Sequence, residues 1–549
     1  MGALKKDTRI ADPGSCLSQS SAEGWGSYGG NVRGVDFLNK TESNGSISKT
    51  PEYSQKLTTE VVVVGAGGGG TWTAIQCARR GVKVLVVEKG ATWASSNTSR
   101  IGGTTACHTS VQKDAGIDAD PMAVYEHMMR YARGTVNGKI VRRYLKESGE
   151  MLDYWMNLGV KTVLADDRYN SGFTTVHFYL TPNKMELLQN DAKRMGVEFL
   201  FRTTGKSVIM EDGKAVGITA EDKDGNILEI RAKYVVIATG GFLNNPEMMK
   251  RYFGEANTIH CAGMPFCTGD GIQMAVQAGA IMDTNFALST LADASGYNAK
   301  YSKIGSFTDY FTPRFQAFVF GNTGTILVDN QGKRFINEQQ LSVSPLAFGG
   351  AIQARVGYYY AIVDQALVDY YKQHSPFERL NCDKSVWRVG GIMFNQVQDR
   401  LDKDIDIAID EGFAWRADTV EELAAKIDMP YLAETISNYN RMYDEGTDDE
   451  FGCDIRFMVP VRKGPFYAVQ YQCAGLVTMG GIKTDDICRA LNKENQPIDG
   501  LFVVSSDNGS AFSSPYYDIG GTSSGLAMGT GWIAGEEIAK LLGKPEITR

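Results

Sequence analysis

Residues 65–70, with the sequence GAGGGG, match the pattern G-x-G-x-x-G that binds dinucleotide phosphates. Gly65 permits a tight turn, Gly67 lets the backbone approach a pyrophosphate, and Gly70 allows a helix and a strand to pack closely. Glu88 ends the next apolar run, where its carboxylate is placed to accept hydrogen bonds from an adenosine ribose. A glycine turn without a ligand is the alternative, but the full context favours a dinucleotide site.

Two further segments favour FAD over NAD as the dinucleotide. The segment NTSRIGGT at 97–104 extends the phosphate cradle toward the flavin, and a strand at 498–507 leads to Asp507, whose carboxylate suits a ribityl hydroxyl. The glycine-rich residues 520–525 open a final helix, whose N–H groups can stabilise negative charge at the N1/O2 edge of a flavin. The other predicted FAD contacts are Lys89, Asn97, Thr98, Gly102, Gly103, Gly240, Asp270, Thr522 and Ser523.

These residues need a βαβ unit to position them. The β-branched run at 61–64 predicts a central parallel strand, residues 71–80 a helix, and residues 82–87 the second strand. We further predict helices at about 120–133, 138–158 and 181–195, strands at 197–202, 205–211, 215–221, 227–232 and 234–241, and a last helix at about 525–542.

The predicted fold class is α/β, a discontinuous Rossmann-like FAD-binding domain with an inserted α+β capping domain, because 549 residues exceed what one core usually supports. Residues 1–56, rich in Gly, Ser, Asn and Thr, are predicted to form an N-terminal arm. The FAD-binding domain is predicted at 57–287 and 456–549, and the capping domain at 288–455. The aromatic-dense stretch 297–320 is either the core of the cap or the lining of a pocket for a large, flat, weakly polar ligand.

Charge and composition argue against several functions. A net charge of −8 without a concentrated basic face argues against a nucleic-acid partner. The nine cysteines form no Cys-x-x-Cys spacing, so no metal site is predicted, although an iron–sulfur cluster drawn from scattered cysteines stays open. Since no apolar stretch suits a membrane span or a signal peptide, we expect a cytoplasmic protein without membrane insertion. An exported protein whose leader has been removed is the alternative.

With these motifs, the chain resembles the fumarate reductase/3-ketosteroid dehydrogenase superfamily of flavoproteins over about residues 57–545. The resemblance rests on several separate segments in the right order: VVVVGAGGGG, VLVVEKG, NTSRIGGT, VVIATGGFLNNPEM, TGDGIQMAVQAGA, ILVDNQGKRFINE, MGGIKTD, PIDGLFVV and GGTSSG. It implies non-covalent FAD and a smaller capping domain, with the substrate held between them over the isoalloxazine ring.

The resemblance also bears on the substrate. Fumarate reductases carry an arginine four residues after the Asn-Glu of their KRF-x-NE motif, a position that falls here on Ser342. Their histidine before the T-M-G-G segment is replaced by the apolar Leu476-Val477, and their second arginine aligns with Asp518. A dicarboxylate needs paired cations, so fumarate and similar dianions are disfavoured.

The ketosteroid dehydrogenase branch fits better. Its tyrosine and glycine at the start of the last helix align with Tyr517 and Gly521, which the resemblance implies bind a carbonyl oxygen, although a merely packing tyrosine is the alternative. The branch's proton-transferring tyrosine aligns with Ser342, a poor acid or base. Another residue or water must then carry the proton, and the candidates are His177, favoured because it is one of only five histidines, and Tyr169, Tyr179, Tyr297, Tyr301 and Tyr310.

The expected activity is therefore that of an FAD-dependent oxidoreductase moving a hydride between flavin N5 and a C–C or C=C bond conjugated to a carbonyl in a neutral, steroid-like substrate. A reductase of an unsaturated carbonyl or lactone, similar to gut-bacterial flavin reductases that resemble cardiac glycoside reductase, is the first alternative. An electron-transfer subunit without its own substrate is the second. No second nucleotide fold is visible, so electrons are expected to pass to or from a separate carrier such as a membrane cytochrome or a quinone-linked protein.

Overall fold

The computed structural model describes residues 53–165, 172–254, 259–261, 263–294, 316–322, 325–339, 356–380 and 397–548. Within them the strands are β1 Gln55–Thr58, β2 Val61–Val64, β3 Val84–Glu88, β4 Gly103–Thr105, β5 Thr162–Leu164, β6 Val176–Tyr179, β7 Glu198–Phe201, β8 Thr204–Glu211, β9 Lys214–Glu221, β10 Ile227–Arg231, β11 Tyr234–Ile237, β12 His260–Cys261, β13 Ala287–Ala294, β14 Leu327–Val328, β15 Tyr359–Asp364, β16 Ala414–Ala417, β17 Phe466–Met479, β18 Arg489–Leu491 and β19 Pro497–Val503.

The α-helices are α1 Gly68–Arg79, α2 Ser110–Asp114, α3 Pro121–Ala132, α4 Gly138–Asn157, α5 Lys184–Arg194, α6 Pro246–Phe253, α7 Asp270–Gln277, α8 Gln365–Tyr371, α9 Pro376–Leu380, α10 Leu401–Asp410, α11 Val420–Ile427, α12 Leu432–Glu445 and α13 Thr522–Leu541. Short 3-10 segments lie at Trp93–Ser95, Asn97–Ser99, Gln316–Asn322, Ile455–Phe457 and Ser505–Asp507. Among the described residues no helix is long and apolar enough to cross a membrane.

A six-stranded sheet in the order β18-β19-β11-β2-β3-β7 forms the centre of the molecule. Every pairing in it is parallel except that of β18 with β19. The four valines of β2 are fully or almost fully buried because helices and a second sheet cover both faces, which accounts for an unbroken β-branched run. Helix α1 packs along α13, so the first and last helices meet beside this sheet.

Two smaller sheets flank the central one. One has the order β1-β10-β9-β8, with β8, β9 and β10 antiparallel. The other is the antiparallel set β4-β6-β5, which places residues 103–105 beside β6. The strands and helices predicted between 61 and 232 match observed elements to within about three residues at each end, whereas the strand predicted at 234–241 ends at Ile237.

A separate sheet, β12-β17-β15-β14, is built around the long strand β17, which also pairs with β13 and β16. Helices α8 and α10–α12 cover it and bury their own apolar clusters. Phe466–Met479, which falls in the predicted FAD-binding part at 456–549, is the central strand of this sheet, and the domain boundaries stay a prediction. Because β17 has 14 residues, it pairs with β15 and β16 at its start and with β13 toward its end. It therefore connects β15 and β16 to β13.

Candidate cofactor site and its surroundings

An open cleft lies at the carboxyl ends of β2, β3 and β11, where ligands bind in open parallel sheets. The start of α1, the 3-10 segment around Asn97, the turn at Thr239 and the start of α13 complete its walls. Residues from every part of the chain that we assigned to the cofactor therefore converge on one cavity.

The glycines of the 65–70 turn serve two different purposes. A Cβ at Gly65 would lie 2.3 Å from the Ala238 oxygen, and one at Gly70 would lie 2.0 Å from the Gly65 oxygen, so the fold itself requires both glycines. Gly67 is different: a Cβ there would meet nothing nearer than Ser96 Cβ at 3.7 Å, and its φ of −70° suits any residue. Because Gly67 lines the cleft, the space beside it fits the pyrophosphate of a dinucleotide.

Glu88, at the end of β3, braces this turn. Its Oε2 accepts a hydrogen bond from the Ala66 N–H at 2.8 Å, and its Oε1 accepts one from the Gly90 N–H at 2.6 Å. The side chain lines the cleft, so its remaining lone pairs can face a ribose, which stays our prediction.

Lys89 and Asp270 form an ion pair in the wall of the cleft. The Lys89 Nζ lies 2.7 Å from Asp270 Oδ2 and donates to Thr268 Oγ1 at 2.5 Å. Asp270 begins α7, so the pair connects the end of β3 to another helix that borders the cleft. Both residues were predicted to contact FAD, and both are among those that line the cavity.

The 97–104 segment closes one side of the cleft. Thr98 Oγ1 accepts a hydrogen bond from the Gly68 N–H at 2.9 Å, at the first turn of α1. Asn97 Oδ1 accepts one from the Met264 N–H at 2.6 Å, which anchors the segment to a neighbouring loop. Asn97 and Thr98 line the cleft, whereas Gly102 and Gly103 lie at strand β4 and are not among the lining residues.

Asp507 differs from our prediction. Its carboxylate is fully buried and accepts hydrogen bonds from the backbone of Thr239, from the Gly240 N–H at 3.1 Å and from the Gly241 N–H at 2.8 Å. Burial raises the pKa of Asp507, and these hydrogen bonds oppose the increase. Asp507 therefore holds the turn after β11, and Ser505 and Ser506 line the cleft in its place.

At the start of α13, the tyrosine that contacts the helix is Tyr516, whereas we predicted a role for Tyr517. The hydroxyl of Tyr516 accepts a hydrogen bond from the Ser523 N–H at 3.0 Å, and Ser523 lines the cleft. Tyr517 is buried away from that position, with its hydroxyl 3.4 Å from the Ala511 oxygen. The hydroxyl of Thr522 likewise donates to the Ile519 oxygen instead of facing the cleft.

Gly521 has a φ of +76° and precedes α13, where a Cβ would lie 2.7 Å from the Thr105 nitrogen. Close packing therefore explains why residue 521 is a glycine. Neither Tyr517 nor Gly521 is among the residues lining the cleft. The paired carbonyl contact that we predicted for Tyr517 and Gly521 stays a prediction.

His177 is fully buried in β6 and both ring nitrogens have partners. Nδ1 lies 2.9 Å from the Thr175 oxygen and Nε2 lies 2.7 Å from Thr109 Oγ1, which fits a neutral ring that donates from Nδ1 and accepts at Nε2. Burial lowers the pKa of His177 to about 4. We had proposed it as a proton carrier, but its position and its partners are those of a packed structural residue.

Ser342, Tyr169, Tyr297, Tyr301 and Tyr310 lie outside the described residues. Tyr179 is buried, and its hydroxyl donates to Thr104 Oγ1 at 2.6 Å.

Asp518 and Val477, two positions that the resemblance to fumarate reductases compares, are both described. Asp518 pairs with His127, whose Nε2 lies 2.9 and 3.0 Å from the two carboxylate oxygens. Of Leu476 and Val477, the apolar residues before the T-M-G-G segment, Val477 lines the cleft.

Sequence reasoning missed Tyr516 and His127. Tyr516 was overlooked because two adjacent tyrosines fit the same motif within one residue, and only the backbone decides which hydroxyl faces the helix. His127 lies on α3, about 390 residues before Asp518, and no local spacing connects them. Its rarity among five histidines was the only available signal.

Comparisons with known proteins agree with this geometry. Residues 60–523 match the family model described as FAD binding domain. A vinyl phenol reductase of Lactiplantibacillus plantarum is 29% identical over 88% of this chain and 96% of its own length. A 3-oxosteroid 1-dehydrogenase of Mycolicibacterium smegmatis is 24% identical over 87% of this chain and 97% of its own length. An NADH:fumarate oxidoreductase of Klebsiella pneumoniae is 26% identical over 88% of this chain but only 48% of its own length.

Solved structures share the fold. A 3-ketosteroid delta1-dehydrogenase from Sterolibacterium denitrificans superposes with a TM-score of 0.66 at 21% identity, covering 88% of this chain and all of that one. A flavocytochrome c3 fumarate reductase superposes with a TM-score of 0.62 at 23% identity, covering 89% of this chain and 79% of that one. The cleft, its glycine turn and the family match lead to one conclusion: the chain belongs to the FAD binding domain family and is an FAD-dependent oxidoreductase that acts on carbon–carbon bonds.

Proposed function

We propose that this oxidoreductase moves a hydride between flavin N5 and a C–C or C=C bond conjugated to a carbonyl in a neutral, steroid-like substrate. Bound FAD supplies the hydride-transfer chemistry, and the residues of the chain orient the substrate and hold its oxygen. The observation that carries the proposal is the Asp518–His127 pair, because a carboxylate at this position repels a dianion.

The second cationic position supports the same conclusion. Where fumarate reductases resemble one another in carrying a histidine, Val477 presents an apolar side chain to the cleft. An apolar wall favours an uncharged ligand, since a carboxylate placed against it would lose its hydration without a compensating partner.

The start of α13 supports binding of a carbonyl oxygen. The Tyr516 hydroxyl accepts from the Ser523 N–H, so its own proton is available to a substrate oxygen. We propose Tyr516, in place of Tyr517, as the donor that stabilises an enolate during hydride transfer.

A second candidate is reduction of an alkene acceptor, such as an unsaturated carbonyl or lactone of the cardiac glycoside type. The vinyl phenol reductase favours it, because at 29% identity over 96% of its own length that relative is more similar to this chain than the 3-oxosteroid 1-dehydrogenase at 24%. In either case we propose a separate electron carrier, such as a cytochrome or a quinone-linked protein.

Anaerobic stopped-flow mixing of the dithionite-reduced protein with fumarate, a 3-oxo-4-ene steroid or an unsaturated lactone tests the proposal. Return of the oxidised flavin band with the steroid or lactone, but not with fumarate, is the expected result. Rapid reoxidation by fumarate would overturn the assignment of a neutral substrate.

A further inference from the structure

We propose that the ammonium of Lys184 is a countercharge for the pyrophosphate of FAD, and that it acts through the 97–99 segment in the wall of the cleft. Binding of FAD would then draw a proton onto this lysine. Lys184 is absent from the FAD contacts that the sequence predicts. The role depends on the cofactor alone, so it holds whichever substrate the protein takes.

Lys184 is a buried cation without a carboxylate partner. The residue is only 3% exposed, and its Nζ donates a hydrogen bond to the Ser99 backbone oxygen at 2.8 Å. The ammonium also lies 5.2 Å from the centre of the Tyr179 ring, which is a cation–π contact. Within the described part of the chain, no carboxylate forms an ion pair with this ammonium. A buried lysine is rarely left unpaired, because the ammonium loses its hydration.

The place of Lys184 in its helix adds to this cost. Lys184 is the first residue of α5, and the start of a helix carries a partial positive charge that repels a cation. Burial lowers the pKa of Lys184 to about 8, and no charged neighbour contributes to this change. A negative charge from a ligand would favour the protonated lysine and raise its pKa again.

The titratable neighbours of Lys184 do not change charge near pH 8. Burial raises the pKa of Tyr179, on β6, and of Tyr154, on α4, where the hydrogen bond to Asp191 adds to the increase. Glu186, in the first turn of α5, accepts a hydrogen bond from an asparagine side chain at 3.0 Å. The 97–99 segment offers the ammonium only an uncharged backbone oxygen.

Two hydrogen bonds connect the ammonium to the phosphate-binding turn. Ser99 is the last residue of the 3-10 segment Asn97–Ser99, and within it Thr98 Oγ1 accepts the Gly68 N–H at 2.9 Å, in the first turn of α1. Asn97, Thr98 and Gly68 line the cleft. The segment therefore contacts Lys184 and also borders the space that fits the pyrophosphate.

The surroundings of the lysine transmit its charge. Trp155 is fully buried and donates its ring N–H to the Lys184 backbone oxygen at 3.0 Å, and the adjacent Met185 is fully buried too. Charges in such apolar surroundings interact more strongly than they do in water. The ammonium and the pyrophosphate, which carries a negative charge on each phosphate, should therefore attract one another across the 97–99 segment.

This attraction makes the affinity for FAD depend on pH. The lysine of the FAD-free protein has a pKa of about 8, and bound FAD should raise that value. FAD therefore binds most tightly below about pH 8, where Lys184 is already protonated. As the pH rises toward the pKa of the bound form, the affinity should fall by at most about tenfold per pH unit, because one proton is taken up.

The first test counts that proton. The FAD-free protein is titrated with FAD in a calorimeter at about pH 8.5, in two buffers with different ionisation enthalpies. Wild type should take up about 0.5 proton or more per FAD, and Lys184→Met less than about 0.1. Equal uptake by the two proteins, or no uptake by wild type, would overturn the proposal. If Lys184→Met does not fold, the uptake by wild type decides alone.

The second test separates charge from packing. The dissociation constant of FAD is measured by fluorescence from about pH 7 to about pH 9.5, and the affinity of wild type should fall at least about fivefold over this range. Lys184→Met should bind FAD at least about tenfold more weakly at pH 7, with a level profile. Lys184→Arg, which stays charged throughout, should keep its affinity to the top of the range. A constant ratio between wild type and Lys184→Met would mean that the lysine only packs against the segment.

Lys193, on the same helix, supplies the matched control. Its Nζ lies 5.6 Å from the centre of the Phe199 ring, so it also contacts an aromatic ring, but the residue is exposed. Lys193→Met should leave the proton uptake and the affinity for FAD unchanged, and an equal loss in this variant would contradict the assignment to Lys184. Neither test includes a substrate, so their failure removes only this inference, whereas rapid reoxidation by fumarate removes only the proposed function.

Discussion

The hydroxyl of Tyr516 accepts a hydrogen bond from the Ser523 N–H at 3.0 Å, and this contact joins the segment before the last helix to the first turn of that helix. A helix start carries unpaired N–H groups and a partial positive charge. The tyrosine oxygen takes up one of those N–H groups, and we propose that the hydroxyl donates its own proton to a ligand oxygen.

Exchanging the two adjacent tyrosines for phenylalanine should separate their roles. Tyr516→Phe is expected to slow flavin reoxidation by the preferred acceptor by roughly 100-fold, because it removes a donor to the developing negative charge. Tyr517→Phe should change the rate by less than about threefold, because its hydroxyl makes only a 3.4 Å contact with Ala511. Stopped-flow measurement at saturating acceptor checks both, and the reverse order would restore Tyr517 as the donor.

Gly67→Ala should distinguish space required by the fold from space required by FAD. Because a Cβ there makes only ordinary contact with Ser96 at 3.7 Å, we expect the FAD-free variant to melt close to wild type. Its affinity for FAD should fall at least about tenfold, since the methyl group enters the space beside the pyrophosphate. Fluorescence titration of the apoprotein with FAD measures the loss, and Gly70→Ala, which overlaps the Gly65 oxygen, should destabilise both forms.

Asp507→Asn should destabilise the fold even without FAD. The amide has one oxygen to replace a carboxylate that accepts from three consecutive backbone residues, and a buried donor that loses its partner costs about 1–3 kcal/mol. Urea unfolding of the FAD-free protein tests this. Asp499→Asn, at an exposed ion pair with Lys214, is the control and should change the free energy of unfolding little.

The fold should lose stability in mild acid through His177. Its pKa of about 4 lies below the ordinary value near 6.5, so between these pH values the unfolded chain binds more protons than the folded one. The stabilisation is therefore present above pH 6.5 and is lost as the pH falls toward 4. Thermal melting across this range should show a shallower decline for His177→Gln than for wild type, and His108→Gln should behave as wild type. Equal slopes for all three proteins would argue that His177 is not buried as described.

Much of the FAD-binding region could be predicted because its signals are local. The β-branched run at 61–64, the glycines that follow and the acid at position 88 each reflect a constraint within a few residues: burial on both faces, a tight turn, and a strand end. The same holds for the helices α3 and α4, whose apolar periodicity and N-terminal caps lie within their own segments, and for the apolar periodicity of α5.

The sequence by itself determined that this protein binds a dinucleotide, since residue types at fixed spacings decide it. Only the tertiary structure decided that Asp507 holds a backbone turn, that Tyr516 instead of Tyr517 meets the last helix, and that His127 pairs with Asp518. Each of these three contacts joins residues that are distant from one another along the chain. A shift of one residue along the backbone would turn a different side chain toward the partner. No local sequence pattern predicts which side chain forms each contact, because the packing of α3 and α13 against the central sheet decides it.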